Sequence, residues 1–165
     1  MERGKICAIY GNGNGKTAVA LGKAVKAASV GKRVIMIQFL KGKGELSLEF
    51  LKRLEPELKI FRFEKKDMPY DQLSDQEKEE ECRNIHNSMN FSRKVLQTGE
   101  CELLILDEIL GLLDNGILSV EEFRQICGMV SPDMEMILTG RKMPEALLAC
   151  VDEAVEIRNC KTTQQ

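Results

Sequence analysis

The sequence predicts an α/β fold, a mostly parallel sheet with helices on both faces. Three observations predict it. Apolar stretches of strand length alternate with stretches of helical spacing along the whole chain. One of the strand-like stretches, Arg33 to Phe39, is nearly continuous in apolar residues, as a strand covered on both faces would be. No repeat, linker or low-complexity tract interrupts the order, so residues 1–165 are expected to form a single domain with a sizeable core.

Composition narrows the function. Net charge is −2, so no broad basic surface calls for nucleic acid. No apolar run reaches membrane-spanning length, and Met1-Glu2-Arg3-Gly4 is not the start of a signal peptide. Six cysteines are scattered without a C-x-x-C pair, which argues against a zinc site or a disulfide framework. Reduced thiols and a cytoplasmic location are the simpler expectation.

The first strand is Ile6-Cys7-Ala8-Ile9-Tyr10, and it runs into Gly11-Asn12-Gly13-Asn14-Gly15-Lys16-Thr17. A helix is expected from Gly15 to about Val30, stopped by Gly31, with Val19, Leu21, Val25 and Ala28 facing the sheet. Strand, glycine loop and helix together make a phosphate-binding loop. Glycine amides can turn inward on an anion, and the helix start adds its unpaired N–H groups. Lys16 would reach phosphate oxygens and the Thr17 hydroxyl a Mg²⁺ ion. The usual spacing G-x-x-x-x-G-K-[ST] would need glycine at Tyr10, so this loop is one residue short. The bland alternative is a glycine-rich strand-to-helix turn.

The second strand, Arg33 to Phe39, leads into Leu40-Lys41-Gly42-Lys43-Gly44, which reads either as a solvated turn or as a ligand loop at a strand end. Leu46 to Leu54 reads as a helix ended by Pro56, and Lys59 to Phe63 as a strand near an edge. Glu64 to Leu73 is polar, irregular and broken by Pro69. Ser74-Asp75-Gln76-Glu77 is a capping box that opens a long helix to about Thr98, with Cys82, Ile85, Met89 and Leu96 on one stripe. The acidic run from Glu77 to Glu81 is expected to be solvated. Lone His86 is given no chemistry.

Leu103-Leu104-Ile105-Leu106-Asp107-Glu108 is an apolar strand ending in two carboxylates, which would bring an acid to Mg²⁺ and the phosphates. A second capping box at Ser119-Val120-Glu121-Glu122 opens a helix to about Met129. The strand Glu135 to Thr139 feeds Gly140-Arg141, and Arg141 can hold a phosphate or sit on the surface. A short helix from Pro144 to Cys150 and a strand from Ala154 to Ile157 follow. The whole reads as a P-loop NTPase-like, RecA-like domain.

These residues resemble the P-loop ATP:corrinoid adenosyltransferases. The likeness rests on the short loop Gly11 to Thr17, on Val34 to Gly42 with its Gln-Phe-Leu-Lys-Gly ending, on Leu106-Asp107-Glu108 and on Thr139-Gly140-Arg141. It implies transfer of the 5′-deoxyadenosyl group of ATP to the Co(I) centre of a reduced corrinoid, with release of triphosphate, in cobalamin biosynthesis. It implies Mg²⁺, a homodimer, and a nucleotide lying reversed relative to ordinary P-loop enzymes. Its nucleotide site would comprise Gly11 to Ala18 and Arg141. Metal contacts would come from Thr17, Asp107 and Glu108, with Glu108 the direct ligand and, with Lys16, catalytic. Lys41, Met68 and Tyr70 would meet the corrinoid. The chain departs from the family at Asn14, usually Lys, and at Ala18, usually Ser or Thr. It lacks the tryptophan of a Phe-x-Trp-type feature around the third strand. The competing classes are a P-loop ATPase or kinase and a nucleotide-binding protein without transferase activity.

Overall fold

A computed structural model describes residues 2–40 and 46–163 and bears out the expected class. The elements are β1 (Lys5–Tyr10), α1 (Lys16–Ser29), β2 (Val34–Gln38), α2 (Leu48–Leu51), β3 (Leu58–Arg62), α3 (Asp75–Thr98), β4 (Leu103–Asp107), α4 (Ile109–Asp114), α5 (Val120–Gly128), β5 (Glu135–Gly140) and β6 (Glu153–Glu156). The strands form one sheet in the order β3-β2-β4-β5-β1-β6, and every pairing is parallel. β5 therefore stands between the strand that feeds the glycine loop and the strand that ends in the acid pair, the arrangement of a RecA-like P-loop domain.

Strand parity sorts the core into two layers. Val34 and Met36, Leu103 and Ile105, and Ile137 pack with Ala20 and Ala24 of α1 on one face. Ile35 and Ile37, Leu104 and Leu106, and Met136 and Leu138 pack with α3, α4 and α5 on the other. Continuing the count by one step puts Gln38, Asp107 and Thr139 on the α1 face, at the C-terminal ends of three adjacent strands.

Several elements differ from the sequence-based expectation. α1 buries Ala20 and Ala24, while Val19 and Val25 stay exposed, because small side chains let the helix lie close on the sheet. The stretch from Leu46 to Leu54 holds only the short α2 and a 3-10 turn at Lys52–Leu54, and Glu145–Cys150 is also 3-10. α4 was not expected, since six residues straight after an acid pair carry little periodicity. Glu81 is buried rather than solvated, accepting from the Lys65 N–H at 3.2 Å and the Asn84 amide at 2.9 Å. Both capping boxes are formed, at Ser74 and Ser119. None of the helices among the described residues is long and apolar enough to cross a membrane.

Arg33 and Glu102 clamp the entrance to β2 and β4. The Glu102 carboxylate accepts from the Arg33 guanidinium and from the Arg33 N–H at 2.7 Å. These bonds, led by the guanidinium, pull the Glu102 carboxyl down to about 2. Its folded pKa lies below its unfolded value, so its stabilisation is present above the unfolded pKa and is lost as pH falls through about 2. Because the pair is exposed, Glu102→Gln is expected to cost only ~0.5–1 kcal/mol at pH 7. Urea melts of both proteins at pH 7 and pH 3 should show that gap narrowing at the lower pH.

Candidate functional site at the ends of the central strands

The short loop is folded tightly against the chain that follows β6. Gly13 N–H donates to Ile157 O at 2.9 Å, and Asn14 N–H to Asn159 Oδ1 at 3.2 Å. Gly11 N–H is shared between the carbonyls of Gly140 and Arg141 at 3.2 and 3.1 Å. A Cβ at Gly11 or Gly13 would lie 2.3 or 2.7 Å from Ile157 O, so these glycines serve close packing. The amides of Gly11, Gly13 and Asn14 thus point to protein oxygens. Gly15, at φ 97°, caps α1 with no side-chain hydrogen bond, and the first intrahelical bond is Val19 N–H to Gly15 O. The amides of Gly15, Lys16, Thr17 and Ala18 precede that bond and have no acceptor within the helix. Dipole and amides together make this end attractive to anions. The Lys16 ammonium lies over the loop, 2.9 Å from Gly13 O.

Asp107 is the junction of the site. It is fully buried at the end of β4. Its carboxylate accepts from the Thr17 hydroxyl at 3.0 and 3.1 Å, the Thr139 hydroxyl at 2.7 Å and the Gln38 amide at 3.2 Å. Glu108 is the single residue between β4 and α4, and it makes the reversal at φ 64°. Its N–H donates to Thr139 Oγ1 at 2.8 Å, which helps to hold a conformation that costs a non-glycine residue about 1 kcal/mol. Consecutive carboxylates are thereby separated, Asp107 towards α1 and Glu108 towards a cleft.

That cleft has a volume of about 540 Å³ and borders Tyr70, Asp71, Glu108, Asp114, Asn115 and Arg141. Its size suits a small-molecule substrate. Tyr70 donates to or accepts from Cys82 Sγ at 3.1 Å; this contact, with burial, raises its phenol to about 12. Met68 is half exposed and lines a smaller pocket beside Tyr70. Lys41 lies outside the described residues. Phe61 and Phe63, at the end of β3, form an aromatic trio with Phe91, with ring centroids 4.8 to 6.4 Å apart.

The donor set suits a hard cation. Thr17, Asp107 and Glu108 offer only oxygen, beside a helix start that favours phosphate. Among the described residues no cluster of three or more His, Cys, Asp or Glu could hold a metal on its own. Mg²⁺ fits such a site, because it is commonly held by one or two carboxylates together with substrate phosphates.

Sequence reasoning quoted Thr139 and Gln38 only within motifs and gave Arg62 no role. Strand parity was the available signal. Gly140 has its own reason to be glycine: a Cβ there would lie 2.3 Å from Leu110 Cβ and 3.2 Å from Leu110 Cα. Gly140→Ala is expected to lose ~1–3 kcal/mol, since backbone on α4 must shift. Gly22→Ala, exposed on α1 with open space around it, should gain ~0.5–1 kcal/mol. Thermal melts of the two variants should move in opposite directions.

Comparison with known proteins agrees with the motif resemblance. The family model described as ATP:corrinoid adenosyltransferase BtuR/CobO/CobP matches residues 2–165. A corrinoid adenosyltransferase of Escherichia coli (strain K12) is 29% identical over 163 residues, covering 97% of this chain and 79% of the relative. The corrinoid adenosyltransferase CobA of Salmonella typhimurium is 28% identical over 163 residues with the same coverage. Among solved structures, a DNA replication initiation factor aligns with a TM-score of 0.46 at 18% identity, over 93% of this chain and 40% of that one.

Proposed function

The chain belongs to the ATP:corrinoid adenosyltransferase family BtuR/CobO/CobP, and from that premise we propose how its site carries out adenosyl transfer. The substrates are ATP and a reduced corrinoid. The Co(I) of the corrinoid attacks the 5′ carbon of ATP, the C5′–O bond breaks, and triphosphate leaves with the bonding pair. The nucleophile belongs to the substrate, so the protein has two tasks, to bring the reactants together and to stabilise the leaving group.

One observation carries the reading. The acid pair stands between the two compartments, with Asp107 bonded to Thr17 of the loop helix and Glu108 bordering the cleft. The triphosphate lies against the amides of residues 15–18. Lys16 swings from Gly13 O to phosphate oxygens, where charge-assisted bonds are about twice as strong as neutral ones. Bound Mg²⁺ would neutralise triphosphate charge, held by Glu108 and the Thr17 hydroxyl, with Asp107 orienting that hydroxyl. Arg141 reaches phosphate from the cleft side.

The corrinoid occupies the cleft, with Tyr70 on one wall and Met68 in the smaller pocket beside it, and Lys41 is assigned to the same substrate. The segment from Glu64 to Tyr70, where the family's Phe-x-Trp-type feature is expected, offers Met68 and Tyr70 in its place. Cytoplasmic action as a homodimer belongs to the same reading. An ATPase or kinase would need a hydroxyl or water as acceptor, and no observation favours that alternative.

The direct test supplies Mg-ATP and a chemically reduced corrinoid and identifies the products. Triphosphate with a new cobalt–carbon bond is expected; ADP formed without corrinoid would overturn the reading. Lys16→Ala should slow turnover by at least about a hundredfold, as loss of a charge-stabilising donor does. Replacing Met68 and Tyr70 together by Ala should weaken corrinoid binding while leaving Mg-ATP affinity little changed.

A further inference from the structure

The row of polar residues above the α1-facing core layer extends beyond the acid pair. Arg62 ends β3, Gln38 ends β2 and Asp107 ends β4, and the sheet register sets Gln38 directly beside both of the others. The Arg62 guanidinium donates twice to Gln38 Oε1, from Nη2 at 2.6 Å and Nε at 3.3 Å. Gln38 is almost completely buried, and its amide nitrogen donates to Asp107 Oδ2 at 3.2 Å. An amide can present either its oxygen or its nitrogen to a neighbour. A guanidinium, which only donates, fixes the oxygen towards itself and therefore the NH₂ towards Asp107.

We propose that Gln38 and Arg62 are positioning residues of the metal–nucleotide site: Arg62 orients the Gln38 amide, Gln38 holds Asp107, and Asp107 aims the Thr17 hydroxyl. The proposal rests on the reading of Thr17 as a Mg²⁺ contact. Among the described residues, Asp107 Oδ2 receives Gln38 and the longer of the two Thr17 contacts, whereas Oδ1 receives Thr139 and the shorter one. Removal of the Gln38 donor leaves the carboxylate anchored on one side and free to turn about it, taking the Thr17 hydroxyl along. Removal of the guanidinium frees the carbonyl end of the amide, so the amide can turn out of line and its hold on the carboxylate loosens. Both changes reach the metal through the same atom.

The test measures ATP binding by the full-length protein as a function of Mg²⁺, using Gln38→Leu, Arg62→Met and the double variant, with no corrinoid present. Each single variant is expected to raise the Mg²⁺ concentration for half-maximal binding about tenfold, the usual effect of losing a residue behind a metal contact. Metal-free ATP affinity should stay within about twofold, since loop amides and Lys16 are untouched; a general packing defect would lower it as well. The double variant should match Gln38→Leu alone, because Arg62 acts through Gln38. Additive effects, or an unchanged Mg²⁺ requirement in either single variant, would overturn the proposal. Arg62 is only half-buried, so Arg62→Met decides the matter even should Gln38→Leu fail to fold. A wild-type binding curve indifferent to Mg²⁺ would instead remove the metal reading itself, and the relay with it.

Discussion

Everything at the working end of the sheet depends on keeping a carboxylate buried. Taking an ionised carboxyl out of water costs several kcal/mol unless hydrogen bonds replace the lost hydration. Asp107 meets that demand with donors from three directions: Thr17 on α1, Gln38 on β2 and Thr139 on β5. Hydrogen bonds to a charged group are each worth about 1.5–3 kcal/mol, so the three together are of the size needed. The same bonds fix the start of the phosphate-loop helix to the sheet. Thr139 does double duty, since its hydroxyl also accepts the Glu108 N–H and so helps to set the turn that brings the second carboxylate to the edge of the cleft.

That turn separates two roles which look identical in the sequence. Asp107 is saturated with protein donors, whereas Glu108 borders the cleft beside Arg141 and Tyr70. The Thr139-Gly140-Arg141 motif divides similarly. The threonine ties the acid pair, the glycine makes room for α4, and Arg141 borders the cleft while its carbonyl receives the Gly11 N–H. The loop itself is braced from behind by Ile157 and Asn159, which accounts for its first glycines without any ligand.

Much of this was legible in the residues. The glycine loop, the apolar strand ending in Asp107-Glu108 and the two capping boxes each join a pattern to a physical demand, and each is found where it was expected. Less legible were features created by contact across the sheet. Ala20 and Ala24 form the buried face of α1 because the sheet leaves no room for more, a fact that hydrophobicity alone reverses in favour of Val19 and Val25. Glu81 reads as one more charge in a solvated run, yet it turns inward to satisfy Lys65 N–H. Gln38 and Arg62 lie 24 residues apart and meet only through the parallel register of β2 and β3. Counting alternation along each strand and comparing the last positions would have gathered Arg62, Gln38, Asp107 and Thr139 into one layer.

The central role given to Asp107 is that of an acceptor for three donors, and it can be measured by calorimetric titration of Asp107→Asn with ATP at saturating Mg²⁺. The amide keeps the shape of the carboxylate but offers one acceptor oxygen and turns an NH₂ group towards donors. Mg-ATP affinity is expected to fall about ten- to a hundredfold. Wild-type affinity in the folded variant would contradict the account, since the site would then stand without the junction on which its geometry is said to depend.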